Sequence, residues 1–238
     1  MIRNLIFYCC PLRGATTTWK WHVQKLISFR DVWNGRRIAV VATDENTDPF
    51  EEVALALEPL EAEIVHRRNH RHLQETAHFL DALSMIESRR SDEAFFYCHA
   101  KGVTRRGGML EAVLRWCDLM YLANLSFPRI IDRRLSVSPT VGALRLRAQH
   151  AGSSWHYPGT FFWIRHDALF SRSWKDIQQE RYGVESYPGR HFKVEESSAL
   201  VDREIIPTLL YNGNVIKDRF IAGVMDRLKK EDALCTSP

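Results

Sequence analysis

The sequence predicts an α/β protein with a mostly parallel central sheet flanked by helices. Two observations carry this. Apolar, β-prone runs alternate with segments of helical period through the first half, which is the pattern of βαβ units. Polar clusters then sit where those runs end, at the positions where an open α/β sheet presents its ligand-binding edge. The 238 residues, 45% hydrophobic, are enough to bury one substantial core.

The elements follow in order. "NLIFYCC" (4–10) reads as the first strand. "TTTWKWHVQKLISF" (16–29) reads as a helix with Trp19, Val23, Leu26 and Ile27 on one face and threonines available as caps. "RRIAVVATDEN" (36–46) is a second strand closing on acidic and amide residues. "DPFEEVALALE" (48–58) offers Asp48 as N-cap, Pro49 at the first helical position and Glu51 at the third. "AEIVHRRN" (62–69) is a shorter third strand, and Leu73, Ala77, Leu80 and Leu83 or Ser84 mark the buried face of the next helix. "EAFFYCH" (93–99) is the fourth strand. After a glycine-rich break, "EAVLRWCDLMYLANL" (111–125) is a helix with Val113, Trp116, Met120 and Ala123 on one face.

The second half is less regular. "VSPTVGALRLR" (137–147) is expected as a strand and "GTFFWIRHDAL" (159–169) as a strand running into a helix. "VESYPGRHFKVEESSALV" (184–201) is expected as a loop leading to a helix. No repeat, low-complexity linker or shift of composition divides the chain, so one domain is expected over 1–228, with a flexible C-terminal tail at 229–238.

Composition narrows the function. A formal charge of +4 and a pI near 8.8 describe a mildly basic chain without the single-sign runs of nucleic-acid tails, so an anionic small ligand fits better than nucleic acid. Five cysteines, an odd number with no CxxC spacing, point to reduced thiols and a cytoplasmic setting. No segment approaches 18 apolar residues, so contact with a membrane is expected to be peripheral at most. "HRRNHRH" (66–72) lacks partners at ligand spacing and interleaved aromatics, and reads as a solvated loop. GxxxxGK[ST], GxGxxG after the first strand, GxSxG and HExxH are all absent from the sequence.

Four strand-associated clusters carry the chemistry. The first strand ends in Arg13, Gly14, Thr16, Thr17 and Thr18, and the second in Asp44, Glu45, Asn46 and Asp48. The fourth ends in His99, Lys101, Arg105 and Arg106. The "GTFFW" strand is preceded by Trp155, His156, Tyr157, Pro158 and Gly159. Such a rim suits a ligand that has both a sugar or base and a phosphate.

"VVATDENTDPFEE" resembles the end of the second strand in nucleotide-sugar glycosyltransferases of the GT-A fold. "FFYCHAKGVTR" followed by a Trp-bearing helix, then "WHYPGTFFWIRHDAL", resembles patterns of the rhamnan synthesis F family of polysaccharide-building proteins, assigned to that fold. The pieces match in order over roughly residues 1 to 210. The resemblance implies a single GT-A-like domain that takes a nucleotide-diphosphate sugar donor and a glycan or saccharide acceptor in polysaccharide synthesis. It implies Asp44 at the nucleoside, and Trp155, His156, Tyr157, Gly159 and Thr160 at the sugar or acceptor. It also implies a general base among Glu185, Glu195 and Glu196, with Glu196 favoured.

The chain departs from that pattern where metal-dependent GT-A enzymes carry Asp-x-Asp, because His99-Ala100-Lys101 stands there. Lys101, Arg105 and protonated His99 can neutralise a leaving diphosphate in place of a cation. A divalent metal, Mn or Mg, is then expected to assist weakly or not at all. A catalytically silent binding or scaffold protein of a glycan-assembly system is the alternative, and a nucleic-acid-binding module using the basic loops ranks last.

Overall fold

The computed structural model describes residues 1–13, 17–201 and 216–235. Among the described residues seven strands form one sheet in the order β3-β2-β1-β4-β6-β5-β7. They are β1 (Ile2–Cys9), β2 (Arg37–Thr43), β3 (Glu63–Arg68), β4 (Glu93–His99), β5 (Thr140–Gly142), β6 (Phe162–Arg165) and β7 (Ser197–Ala199). The strands β3, β2, β1 and β4 run parallel, β6 is antiparallel to both neighbours, and β5 and β7 are parallel. The helices are α1 (Thr18–Ser28), α2 (Phe50–Leu57), α3 (Thr76–Met85), α4 (Gly107–Leu125), α5 (Pro128–Val137), α6 (His166–Phe170), α7 (Gly183–His191) and α8 (Asp218–Leu234).

Strand alternation splits the core into two layers, as burial on both faces of a parallel sheet requires. Leu5, Phe7 and Cys9 of β1 and Ala94, Phe96 and Cys98 of β4 face one cluster, with Trp19 of α1 and Trp116 of α4. Ile6, Tyr8, Phe95 and Tyr97 face the other, with Phe79 of α3 and Tyr187 of α7. No helix among the described residues is long and apolar enough to cross a membrane.

Several expectations are corrected. Thr17 precedes α1 without a side-chain capping bond, and the residue before α2 is Pro49 rather than Asp48. Asp48 instead accepts a hydrogen bond from Trp19 Nε1 at 2.7 Å, fastening α1 to the start of α2. The stretch expected as a loop before a helix contains α7, a 3₁₀ turn at Val194–Glu196 and the edge strand β7. Pro188 lies inside α7, where it removes a helical donor. Burial of Val184 and Tyr187 offsets that loss, and the Tyr187 hydroxyl donates to the Trp174 carbonyl. Residues 229–234, expected in the tail, belong to α8, whose Glu231 and Asp232 pair with Arg134 and Arg129 of α5.

Candidate functional site

Strand order places a cleft before any side chain is considered. From β1 the chain steps outward to β2 and β3, then returns to the other side of β1 as β4, so the order reverses between β1 and β4. Open α/β sheets bind ligands outside the carboxyl ends of the strands at such a switch. A cavity of about 420 Å³ lies there. Tyr8 of β1 and Cys10 just after it, Asp44 after β2, Asn69 and Arg71 after β3 and His99 to Arg105 at the end of β4 line it, together with Thr160, Arg181, Tyr182 and Glu185.

The end of β4 supplies the cationic side. The ammonium of Lys101 lies 4.6 Å from the centre of the Trp116 ring, a cation–π contact. Its carbonyl lies 2.9 Å from Nε2 of the buried His22. A carbonyl can only accept, so that nitrogen carries the proton and Nδ1 accepts from the Tyr121 hydroxyl at 2.9 Å. Burial depresses His22 to about 4, so this support for the loop is uncharged at neutral pH. Gly102 turns the chain at φ +91, where a Cβ would stand 2.9 Å from Val113.

His99 differs from the expectation of a charge carrier. Its ring is enclosed, and burial first, then Lys101 and His22, hold its pKa well below the ordinary value. It is a neutral imidazole at neutral pH. Its Nε2, like the hydroxyl of Tyr8 beside it in the cleft, finds no partner among the described residues. Buried polar groups are normally paired, so these two atoms mark the floor of the cleft as suited to a polar ligand.

Among the described residues three carboxylates reach the cavity, and their environments separate them. Asp44 accepts hydrogen bonds from the Asn46 backbone at 2.8 Å, from Asn69 at 2.9 Å and from Arg71 at 3.3 Å. Burial would raise its pKa, yet those donors bring it below the usual value. Glu185 accepts from the Gly159 N–H at 2.6 Å and faces His150 Nε2 at 3.2 Å. Burial opposes its ionisation, but the His150 contact, Lys101 and the Gly159 N–H hold it at about 2. Glu75, immediately before α3, is 6% exposed, and burial pushes it up to about 7. Its Oε1 stands 3.6 Å from His99 Nδ1.

The structure thus brings Asp44, His99, Lys101, Arg105, Thr160 and Glu185 to one cavity and leaves other expected residues out. Glu195 is exposed on the 3₁₀ turn before β7. Glu196 caps that turn, accepting from the Lys193 N–H at 2.7 Å and pairing with Arg172 at 3.0 Å. Neither lines the cleft. Trp155 and Tyr157 are core residues, each 1% exposed, and donate to the carbonyls of Phe192 and Ser198 at 2.9 and 3.0 Å. His156 is also buried, and lies behind the cleft wall against His150. Gly159 serves the site through its backbone. At φ +90 its N–H reaches Glu185, and a Cβ would stand 2.8 Å from Trp116. Gly14 and Thr16 lie outside the described residues.

Sequence reasoning missed Glu75, Asn69, Arg71, Arg181 and Tyr182. "HRRNHRH" is not simply a solvated loop. His66, Arg67 and Arg68 belong to β3, with His66 stacked on Phe50 at 4.1 Å, and Asn69 and Arg71 hold Asp44 at the cleft. The same inspection of polar strand ends, extended to the third strand, finds them.

No family model and no curated protein matches the chain. A solved structure of 4-diphosphocytidyl-2C-methyl-D-erythritol synthase is similar at 12% identity and a TM-score of 0.44, over 91% of this chain and 98% of that one. A likeness so distant assigns neither activity nor ligand.

Proposed function

We propose that the chain binds a nucleotide-diphosphate sugar in this cleft and transfers the sugar to a glycan or saccharide acceptor. The observation that carries the reading is the convergence of Lys101 and Arg105 with Asp44 and the buried Glu75 on one cavity at the switch between β1 and β4. Asp44, fixed by Asn69 and Arg71, takes a nucleoside hydroxyl or base edge. Lys101 and Arg105 take the diphosphate. In transfer, the acceptor hydroxyl passes its proton to the Glu75 carboxylate while its oxygen bonds to the anomeric carbon. The bond from that carbon to the phosphate oxygen breaks, its electron pair stays on the diphosphate, and the two cations balance the charge.

Glu75 takes the place first expected of Glu195 or Glu196, and suits it better than Glu185. A base works best with a pKa near the working pH, and about 7 meets that condition where about 2 does not. The end of β4 offers no carboxylate pair for a hard cation, so Mn or Mg assists weakly at most in this reading.

One observation favours the silent binding alternative. Glu185 has its oxygens engaged by Gly159 and His150, and Glu195 and Glu196 are outside the cleft, so among the described residues inverting transfer rests on Glu75. A thermal-shift panel of UDP-, GDP-, dTDP- and CDP-sugars, with and without manganese, tests the binding that both readings share, because a ligand of the native state raises its stability. A stabilising sugar nucleotide supports them, and a blank panel removes both. Release of the nucleoside diphosphate from that donor separates transfer from silent binding.

A further inference from the structure

Behind the wall that carries Glu185, a tight hairpin holds two histidines together. His150 and Ser153 exchange backbone hydrogen bonds of 2.9 Å across Ala151 and Gly152, both with positive φ, and Leu146 and His156 exchange bonds of 2.9 and 3.0 Å lower on the same hairpin. The two imidazoles lie 4.4 Å apart between ring centres. His156 is 5% exposed, and its Nδ1 has no hydrogen-bond partner among the described residues. Glu185 reaches the same point from α7, with Oε2 at 3.2 Å from His150 Nε2. One donor atom from each of His150, His156 and Glu185 falls within 4.8 Å of the others.

We propose that His150, His156 and Glu185 form a binding site for one divalent transition-metal ion of the zinc class. Two donors each about 2.0–2.1 Å from a tetrahedral ion stand about 3.3 Å apart, close to the 3.2 Å between His150 and Glu185. Two imidazoles and one carboxylate select zinc or its neighbours over magnesium or calcium, which take sets of oxygen ligands. The second shell is already built, because the Gly159 N–H holds the other Glu185 oxygen at 2.6 Å and so orients the carboxylate. Three protein ligands leave a tetrahedral ion one further position, the ligand count of a reactive rather than a closed structural site. Because Glu185 also lines the cavity, the ion stands at the cleft wall, separate from the end of β4. The inference concerns the protein alone and does not rest on the donor reading.

The test is calorimetric titration of zinc chloride into the full chain, stripped by chelator and free of nucleotide. One equivalent is expected to bind, and millimolar magnesium should not compete. His150→Ala and His156→Ala should each weaken binding by about 100-fold or more, beyond the 10–100-fold typical of an outer-shell partner. Circular dichroism establishes that each variant is folded. If His156→Ala is not, His150→Ala decides, since the His150 side chain is 25% exposed and its loss leaves the core intact. No saturable binding, competition by magnesium, or binding in His150→Ala equal to that of the unaltered chain, as zinc on surface residues such as His70 and His72 would give, overturns the site.

Discussion

The imidazole of His99 stands 3.6 Å from the carboxylate of Glu75, and both side chains are nearly closed to solvent. Burial moves them in opposite directions on the pH scale. It lifts the carboxyl to about 7 and drops the ring well below its ordinary value. At neutral pH a neutral ring therefore sits beside a carboxyl poised between its two forms, in a cleft that Lys101 also lines. Perturbed groups gathered in a cleft are a physical reason to place the candidate site there.

That pair sets a stability signature. A carboxyl with a folded-state pKa near 7 and an unfolded value near 4.5 binds its proton more tightly when folded, so stability falls as pH rises from about 4.5 to 7. Glu75→Gln removes the burden. The variant should melt at a higher temperature than the unaltered chain at pH 8, by an amount worth a few kcal/mol at most, with the difference narrowing toward pH 5. Differential scanning calorimetry across that range checks it. A variant less stable at pH 8 would remove the raised pKa.

The same substitution tests chemistry. Glu75→Gln should keep donor binding and lower sugar transfer by roughly 10²-fold or more, the scale of a lost general base. The rate of the unaltered chain should climb with pH to a plateau above about 7, as the base loses its proton. Steady-state release of the nucleoside diphosphate reads both. An unchanged rate would take Glu75 out of the proton transfer.

Asp44→Ala removes the carboxylate that Asn69 and Arg71 hold at the cleft, while Arg71 keeps its pairing with Glu45. Nucleoside binding should weaken, while the chain remains folded, because the loss is of polar contacts at the edge and not of core. Calorimetry with the nucleoside alone checks this. Equal affinity in the variant would detach Asp44 from the ligand.

Tyr157→Phe separates core from site. The hydroxyl donates to the Ser198 carbonyl at 3.0 Å and faces no cavity residue, so the variant should lose about 1 kcal/mol of stability with no change in KM for donor or acceptor. A raised KM would return Tyr157 to the sugar pocket.

The parallel half of the sheet was legible because its strands are apolar runs that end in polar clusters, and "EAFFYCH" coincides with β4 residue for residue. β5 was blurred because only Thr140–Gly142 pairs, with Gly142 giving way to the Tyr157 ring. α7 was hidden by Pro188 and Gly189, local stop signals overridden by the burial of Tyr187. Lys101 and Asp44 announced themselves as polar residues directly after strands. Glu75 did not, because an acid at a helix start is ordinary in sequence. Only the packing of the α3 N-terminus against the end of β4 turns it into an enclosed carboxyl. The aromatic "WHYPG" stretch misled for the converse reason, since aromatics suited to a sugar face are equally suited to a core.

The central claim is that Lys101 receives the diphosphate of a sugar nucleotide. The most direct measurement is paired calorimetric titration of the sugar nucleotide that stabilises the protein, and of its parent nucleoside, into the unaltered chain and into Lys101→Met. Methionine keeps an apolar stem beside Trp116 and removes the charge. The sugar nucleotide should lose about 1.5–3 kcal/mol of binding free energy, the worth of a charge-assisted contact, while the nucleoside binds both proteins alike. Equal losses for the two ligands, or no loss for either, would contradict it.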